Sequence, residues 1–200
     1  MPIRVLSPQM AARIAAGEVV ERPASVVKEL VENSLDAGAT AISVEIKGGG
    51  LELIRVVDNG SGIPAEEAEL AFHRFATSKL SLEGDLDSIT TLGFRGEALP
   101  SIAAVSNVSL ITRPASQPAG TIVDVARGEI VRTAPQGSPP GTSVAVRDLF
   151  QNVPARLKFL KSPSAEAARV QTLLHQFALA FPEVRFNLDV DGRASFASSG

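Results

Sequence analysis

Two polar side chains in residues 23–37 have the types and spacing that chemistry on a phosphate requires. Glu29 and Asn33 are four residues apart, so in a helix they lie one turn apart on the same side. The carboxylate can hold a water molecule and the amide oxygen a hard cation. Mg²⁺ prefers oxygen ligands and keeps several waters, so one protein ligand together with substrate phosphates is sufficient. The alternative is that Glu29 and Asn33 belong, with the equally polar Glu32 and Asp36, to an ordinary solvated face of the helix.

A second polar cluster, residues 58–63, follows a predicted strand and precedes a predicted helix. Gly60 and Gly62 let the backbone turn sharply and approach a ligand closely. The run from Gly60 to Ala65 formally satisfies the G-x-G-x-x-A dinucleotide fingerprint, but Asp58 would repel a pyrophosphate and the expected second acidic strand end is absent. An aspartate at a strand end is better suited to accept hydrogen bonds from an amino group, such as that of adenine. A plain strand-to-helix connection is the alternative.

A third cluster, residues 90–99, places Gly93 and Gly96 at a predicted helix start. Backbone N–H groups in such a loop, together with the helix dipole, form an anion site. Thr77 and Lys79 add a hydroxyl and an ammonium upstream in the same loop system. An ordinary glycine turn is the alternative here. The sequence contains no G-x-x-x-x-G-K-[ST] motif, so a P-loop is excluded and any nucleotide must be held in another way.

The hydrophobic pattern predicts the elements that must position these clusters. Helices are predicted at residues 23–37, 64–75, 97–104 and 165–181. Strands are predicted at residues 42–46, 51–57, 105–112, 121–126, 129–133, 142–147 and 184–190, with an unfinished strand at 193–199. Residues 76–92 lack periodicity and are interpreted as a long functional loop with room for a short helix. This order predicts an α/β (α+β layered) fold with a mixed, mostly antiparallel sheet and helices on one face.

Composition excludes several classes of protein. The 200 residues include no Cys and two His, so a disulfide framework, zinc fingers and iron–sulfur clusters are excluded and a His-rich metal site is disfavoured. No apolar run approaches a membrane span, and the start has no secretory signal pattern. With 44% hydrophobic residues the chain can build a core, so we expect a globular cytoplasmic protein of the bacterial cytosol or nucleoid, without a membrane partner.

The clusters, in this order, resemble the GHKL ATPase superfamily, which also includes type II topoisomerase ATPase domains, heat-shock chaperones and sensor histidine kinases. The flanking residues are similar to those of the MutL family of DNA mismatch repair proteins, with the Bergerat-type ATPase fold. The similar runs are residues 14–23 (IAAGEVVERP), 28–39 (KELVENSLDAGA), 93–99 (GFRGEAL) and 148–160 (DLFQNVPARLKFL). The resemblance extends over essentially the whole chain.

The resemblance implies roles for several residues of the first two clusters and for Thr142. Glu29 is implied to be the general base that activates the attacking water, and Asn33 to complete the Mg²⁺ shell that bridges the phosphates. Asp58 is implied to bind the adenine amino group, with Gly62 leaving room for the ring. Thr142, which begins a predicted strand and has no diagnostic value alone, is implied to support the base through water. ATP and Mg²⁺ are therefore the expected cofactors.

The third cluster is implied to be a lid over the phosphates. Its N–H groups would surround them, and Lys79, with Thr77 beside it, would flank the nucleotide. The lid residues are Gly93, Phe94, Arg95, Gly96, Glu97, Ala98 and Leu99. Phosphoryl transfer to water depends mainly on positioning and charge stabilisation, so a base, a metal and a donor-rich lid meet most of its requirements.

The resemblance also implies partners and further domains. Residues 1–22 would be an N-terminal arm that crosses an ATP-dependent dimer, and residues 23–200 the ATPase domain. Members of the family continue into a transducer domain, whose lysine reaches the γ-phosphate, and a C-terminal domain that makes the full-length homodimer. We expect both of these domains to lie outside the 200 residues of this sequence. A MutS-type mismatch recognition protein and DNA are the other expected partners, and ATP hydrolysis would serve as a conformational switch in mismatch repair.

Charge is divided unequally along the chain. Residues 1–100 carry 9 Lys and Arg against 15 Asp and Glu, whereas residues 101–200 carry 10 against 7. Arg156, Lys158 and Lys161 form a candidate basic patch in the positive half, and the non-specific DNA binding of the family suits phosphate contacts. A solvated Lys/Arg surface is the alternative.

Two other functions compete with a switch ATPase. The first is a DNA-contacting scaffold module that binds nucleotide with little turnover. The second is another GHKL protein such as a topoisomerase ATPase domain, against which residues 14–23 and 152–158 argue. A histidine kinase is disfavoured because no dimerisation helix with a phosphoacceptor histidine precedes the pocket.

Overall fold

An eight-stranded sheet and a layer of helices make up the computed structural model, which describes Met10, Ala16, Gly17, residues 19–76, Leu92, Gly93 and residues 96–200. Most of the expected N-terminal arm and of the predicted loop 76–92 lies outside these residues. The helices with described bounds are α1 Pro23–Asp36, α2 Ala98–Ala104, α3 Pro154–Leu157 and α4 Pro163–Ala180. The strands are β1 Ala41–Lys47, β2 Leu53–Asp58, β3 Asn107–Arg113, β4 Gly120–Ala126, β5 Glu129–Gln136, β6 Gly141–Arg147, β7 Arg185–Val190 and β8 Arg193–Ala197.

The sheet order is β5-β4-β3-β6-β2-β1-β7-β8. Neighbouring strands are antiparallel except β1 and β7, which are parallel. The predicted mixed, mostly antiparallel sheet is therefore confirmed. This order brings β2 and β6 side by side at the centre of the sheet, although about 80 residues separate them in sequence.

Helix α1 forms where the sequence predicts it. Pro23 occupies the first turn, where its missing N–H costs nothing, and Gly38 follows the helix with a φ of 72°. The apolar stripe of Val27, Leu30 and Val31 is buried, with the small Ser34 on the same face. The polar face, which carries the candidate site residues, is left outside the core.

The helices pack as one layer over the sheet. Helix α1 contacts both α2 and α4 as well as β1 and β2, while α4 also contacts β7. Alternation along β1 buries Ile42, Val44 and Ile46, as expected for a strand with one face against the helices. The predicted placement of the helices on one face is confirmed, and among the described residues no helix is long and apolar enough to cross a membrane.

The predicted helix at residues 64–75 is wrong. The structure has turns and one 3₁₀ turn, Leu70–Phe72, in its place. Ala68 is fully buried there, but Leu70 is half exposed, so the segment has too little apolar surface to hold a long helix against the sheet. The C-terminal end of this segment is also held by a contact distant in sequence, because the N–H of Phe75 donates to the carbonyl of Gly96 at 3.1 Å.

Two further differences lie in the last third of the chain. Helix α3 has a single turn, which the sequence pattern did not predict, and it begins at Pro154. The unfinished strand expected at 193–199 is a complete edge strand, β8, paired antiparallel with β7. The hairpin is closed by Asp191 and Gly192, both with positive φ, as a tight turn requires.

Candidate functional site

Helix α1 carries three polar residues of the candidate site on one face. Glu29, Asn33 and Asp36 follow each other at intervals of four and three residues, and all lie within the observed helix. The side chain of Glu29 is 27% exposed, so its carboxylate is partly shielded and still accessible. A carboxylate and an amide therefore lie one turn apart on the same face of α1, as predicted.

Three protein donors hold the carboxylate of Asp58 at the end of β2. The backbone N–H groups of Gly60 and Thr142 donate to Oδ1 at 2.9 and 3.2 Å, and the hydroxyl of Ser34 lies 2.8 Å from Oδ2. A carboxylate has about four acceptor sites. Among the described contacts one site is left, on Oδ2, and an amino group of a ligand can take it.

Thr142 reaches the site because β6 pairs with both β2 and β3. It lies opposite Asp58 in one pairing and opposite Thr112 in the other. The hydroxyls of Thr112 and Thr142 are 3.0 Å apart, and Thr112 Oγ1 also accepts the N–H of Ile63 at 2.8 Å. Thr142 thus belongs to a hydrogen-bonded network that ties the Asp58–Ile63 segment to the sheet.

The loop after Asp58 is fastened to the end of α1 as well. Asn59 accepts the N–H groups of Thr40 and Ala41 at 2.9 Å each, and the N–H of Ser61 donates to the carbonyl of Ala37 at 2.9 Å. These hydrogen bonds fix the position of the end of β2 relative to the end of α1. As a result, the carboxylate of Asp58 keeps its position relative to the polar face of α1.

Gly62, which is expected to leave room for the adenine ring, is also required by the backbone conformation. Its φ is 71°, and a Cβ there would lie 2.7 Å from the nitrogen of Pro114 and closer still to the carbonyl of Arg113. Backbone atoms cannot yield to such a contact. Glycine is therefore needed at this position whether or not a ligand is bound.

Replacing Gly62 with alanine should destabilise the fold by about 2–4 kcal/mol, because left-handed strain adds to a backbone collision. Urea denaturation measures the change. Gly137→Ala is the matched control, since nothing lies within 4 Å of its added Cβ and its φ is not in the left-handed region. Equal stability of the two variants would contradict this account of Gly62.

Asp36 connects α1 to the predicted lid. Its two carboxylate oxygens accept the N–H groups of Leu92 and Gly93 at 2.9 and 3.0 Å. Two backbone N–H groups at the start of the predicted anion-binding segment therefore already face a carboxylate, which is itself an anion. The contact brings Gly93 to the C-terminal end of α1.

The structure also describes the C-terminal end of the predicted lid. Gly96 has a φ of 60°, and a Cβ there would lie 2.9 Å from the carbonyl carbon of Ala76. Glu97 precedes α2, in which Ala98 and Leu99 are the first two residues, and Leu99 packs partly against the core. The remaining site residues of this region, Thr77, Lys79, Phe94 and Arg95, lie outside the described residues.

Lys28 lies between two carboxylates of α1. Its Nζ is 2.8 Å from Oε2 of Glu32 and 3.8 Å from Oε1 of Glu29. Partial burial acts to lower the pKa of Lys28, but the hydrogen bond and charge of Glu32, with a smaller contribution from Glu29, outweigh it and raise this pKa above its ordinary value. The ammonium is therefore charged and lies next to the candidate base.

The protein oxygen atoms at this site fit a Mg²⁺ ion whose other ligands are substrate phosphates and water. No group of three or more His, Cys, Asp or Glu residues within the described ranges forms a metal cage. Asn33 offers one amide oxygen beside the carboxylate of Glu29 on the same helix face. Mg²⁺ is commonly bound through one or two protein oxygens plus phosphates and water, so a single amide ligand suits it.

The three residues of the predicted basic patch have different surroundings. Arg156 donates from Nη1 to the carbonyl of Val20 at 2.6 Å, and its guanidinium lies 5.7 Å from the ring centroid of the buried Phe150. Lys158 and Lys161 are exposed. Arg156 therefore joins α3 to the segment before α1, whereas the two lysines present their ammonium groups at the surface.

Sequence reasoning missed three residues that complete the site. The hydroxyl of Ser34, on the buried stripe of α1, lies against Asp58. Thr112 bridges Thr142 and Ile63, and Asp36 holds Leu92 and Gly93. Only Ser34 had a usable signal, a polar group on the stripe of α1 that needs a partner when buried. The other two depend on strand pairing and on contacts distant in sequence.

Comparison with known proteins agrees with this geometry. Residues 21–138 match the family model described as histidine kinase-, DNA gyrase B- and HSP90-like ATPase. The chain belongs to this family of ATPases. The matched region contains α1, the Asp58–Ile63 segment and both described ends of the predicted lid.

Within this family the chain is most informatively compared with MutL proteins. It is 54% identical over 198 residues to the DNA mismatch repair protein MutL of Desulforudis audaxviator, and 57% identical over 198 residues to that of Symbiobacterium thermophilum. Both alignments cover 99% of this chain but only 35% and 31% of the relatives. The chain thus spans about a third of the length of these curated relatives.

A solved structure, that of the Aquifex aeolicus MutL ATPase domain complexed with ADP, is also similar. It superposes with a TM-score of 0.76 at 41% identity, and the match covers 90% of this chain and 65% of that one. The N-terminal domain of a DNA repair protein superposes with a TM-score of 0.79 at 30% identity, over 94% of this chain and 56% of that one. The expected fold is confirmed.

Proposed function

We propose that this chain binds ATP and hydrolyses it with Mg²⁺ as the ATPase domain of a MutL-type mismatch repair protein, with the nucleotide acting as a conformational switch. The observation that carries the proposal is the helix α1, which presents Glu29 and Asn33 on one face while Ser34 holds Asp58 at the neighbouring strand end. The ADP complex of the similar Aquifex domain supports a nucleotide as the ligand.

In this proposal each residue acts through the geometry described above. The carboxylate of Glu29 orients a water and accepts its proton, while the remaining acceptor site on Asp58 Oδ2 takes an N–H of the adenine amino group. Thr142, within its threonine network, supports the base through water. Gly60 shapes the loop by donating to Asp58, and Gly62 keeps it against β3.

The phosphates would be held by Asn33, the metal and the predicted lid. When bound, Mg²⁺ would neutralise phosphate charge, and the amide oxygen of Asn33 would be the protein group that holds it. Backbone donors of the lid and the side chains of Thr77 and Lys79 are proposed to face the phosphates. The N–H of Gly93 donates a hydrogen bond to the carboxylate of Asp36. A phosphate bound under the lid would replace this carboxylate as the anionic acceptor of the Gly93 N–H.

The partners belong to the proposal as well. DNA would be contacted without sequence preference through Lys158 and Lys161, with Arg156 nearby and one of its nitrogens bonded to Val20. We further propose an ATP-dependent dimer formed through residues 1–22 and a homodimer of the full-length protein. A MutS-type mismatch recognition protein is the proposed protein partner, and the bacterial cytosol is the proposed location. The MutL relatives, of which this chain spans about a third, support these assignments.

The test compares ATP binding and turnover by this chain with those of a chain extended by the domain that follows in the relatives. We expect both chains to bind ATP, the longer chain to turn it over faster, and chelation of Mg²⁺ to stop turnover in both. Calorimetry measures binding and phosphate release measures turnover. Absence of ATP binding would contradict the proposal, and binding without turnover in both chains would favour the scaffold alternative.

A further inference from the structure

Thr112 is a buried polar residue beside the proposed adenine site, and no step of the proposed reaction uses it. The residue is 1% exposed and lies opposite Thr142 in the pairing of β3 with β6. Thr142 in turn lies opposite Asp58 in the pairing of β6 with β2. Residues directly opposite each other on antiparallel strands share a face of the sheet. Three neighbouring strands therefore place two hydroxyls and the carboxylate of Asp58 in one row.

Within the described residues, the hydroxyl of Thr112 has one proton to donate and two acceptors that it can reach. Its oxygen already accepts the N–H of Ile63 at 2.8 Å, which occupies a lone pair and leaves the proton for another bond. The carbonyl oxygen of Gly141 lies 3.4 Å away and the hydroxyl oxygen of Thr142 3.0 Å away. Hydrogen bonds from a hydroxyl to an oxygen usually span about 2.5–3.0 Å. Thr142 is therefore the better acceptor of the Thr112 proton.

The bond from Thr112 determines where the proton of Thr142 goes. A hydroxyl oxygen that accepts the proton of Thr112 cannot donate its own proton back to the same atom. Thr142 is only partly buried, so its proton can turn to the accessible side of the residue. Hydrogen bonds that run in one direction also polarise and strengthen each other. The chain from the N–H of Ile63 through Thr112 to Thr142 therefore ends in a hydroxyl that acts as a donor.

We propose that Thr112 is a positioning residue for recognition of the base, because it orients the Thr142 hydroxyl as a donor on the side of the adenine N1 atom. The inference deepens the proposed function and rests on the contact of Asp58 with the adenine amino group. A water that accepts the proton of Thr142 keeps both of its own protons, one of which it donates to N1. Thr112 itself does not touch the base.

This arrangement matches the hydrogen-bonding edge of adenine and not that of guanine. Adenine presents its amino group, a donor, next to N1, an acceptor, and the site offers the carboxylate of Asp58 next to a donor from Thr142. Guanine presents a carbonyl next to an N–H, which is the reverse order. A site that discriminates by hydrogen bonds penalises the base whose polar groups it leaves unpaired. Thr112 thus contributes to the preference for adenine from outside the pocket.

Replacing Thr112 with valine removes the hydroxyl while keeping a side chain of similar shape. Calorimetry compares binding of ATP with that of 1-deaza-ATP, which has a C–H group in place of N1 and retains the amino group. We expect the unaltered chain to prefer ATP about five- to tenfold, the effect of one hydrogen bond. In Thr112→Val the preference should fall to about twofold, because the Thr142 hydroxyl is no longer oriented. An equal preference in the two chains would overturn the inference.

Two matched variants separate this role from a structural one. Thr112→Ser keeps the hydroxyl and should restore the preference for ATP over 1-deaza-ATP. Thr121→Val removes the hydroxyl of the threonine opposite Thr112 on β4, which is also buried, and should leave the preference unchanged. General loosening of the site would weaken both nucleotides by the same factor and leave their ratio intact. A serine variant that behaves like the valine variant, or a Thr121→Val chain that loses the preference, would overturn the role of Thr112.

Amide NMR of the chain without nucleotide tests the network itself. The proton signal of the Ile63 amide should move upfield in Thr112→Val, because its acceptor is lost, and stay in place in Thr112→Ser. An unchanged Ile63 signal in Thr112→Val would overturn the network. Failure of the unaltered chain to bind ATP would contradict the proposed function together with this inference, whereas ATP binding with equal preference in the unaltered and Thr112→Val chains overturns the inference alone.

Discussion

ATP turnover is expected to fall by about 10²–10⁴-fold when Glu29 is replaced by glutamine, with ATP affinity unchanged. Glutamine keeps the length and polarity of the side chain, so the water and the nucleotide can still be positioned. It cannot accept the proton of the attacking water at neutral pH. Phosphate release under saturating ATP measures turnover, and calorimetry with the same protein measures affinity.

The control for this variant is Glu183→Gln, which removes one exposed carboxylate outside the candidate site. It should turn over ATP at the unaltered rate. Unchanged turnover in Glu29→Gln would exclude the general-base role. A loss of affinity equal to the loss of turnover would instead assign Glu29 to nucleotide binding.

Replacing Asp58 with asparagine is expected to weaken ATP binding by about 10–150-fold, the effect of losing a hydrogen bond to a charged group. The asparagine oxygen can still accept the N–H groups of Gly60 and Thr142, which turns its amide nitrogen toward Ser34 and the open acceptor site. A donor then faces the adenine amino group, which is also a donor. The preference for ATP over GTP should therefore shrink, because a guanine carbonyl can accept from this nitrogen.

Asp124→Asn, on β4, is the matched control for Asp58→Asn, since it alters a carboxylate that also accepts a side-chain hydroxyl, that of Ser109. Thermal melting of both variants separates binding from folding. If Asp58→Asn melts normally and binds ATP as tightly as the unaltered chain, Asp58 does not contact the base.

The parts of the site that sequence reasoning predicted are those determined by local physics. Helix α1 follows from Pro23, Gly38 and an apolar stripe within 14 residues, so the placement of Glu29 beside Asn33 needed no information from elsewhere. The strand end at Asp58 likewise follows from local alternation. The order of clusters then supplied the family resemblance, which the matching ATPase family model confirms.

The missed parts depend on contacts between distant segments. Thr112 acquires its role only when β3 and β2 flank β6, a pairing that no local pattern reports. The wrong helix at residues 64–75 has the same cause, since Ile63 just before the segment is bonded to Thr112 of β3 and Phe75 at its end is bonded to Gly96. Local propensity was overridden by tertiary contacts in this segment.

The parallel pairing of β1 with β7 has a consequence for synthesis on the ribosome. All residues proposed to contact the nucleotide have been translated once Thr142 has been added. Helix α1 packs against α4, however, which follows later in the chain, and β1 gains its parallel neighbour β7 only when Val190 has emerged. At about 5–20 residues per second, the interval from Thr142 to Val190 lasts roughly 2–10 s. During this time the nascent chain has every residue proposed to contact the nucleotide, but α1 still lacks its full set of packing partners, so we expect nucleotide binding to begin only after β7 has been made.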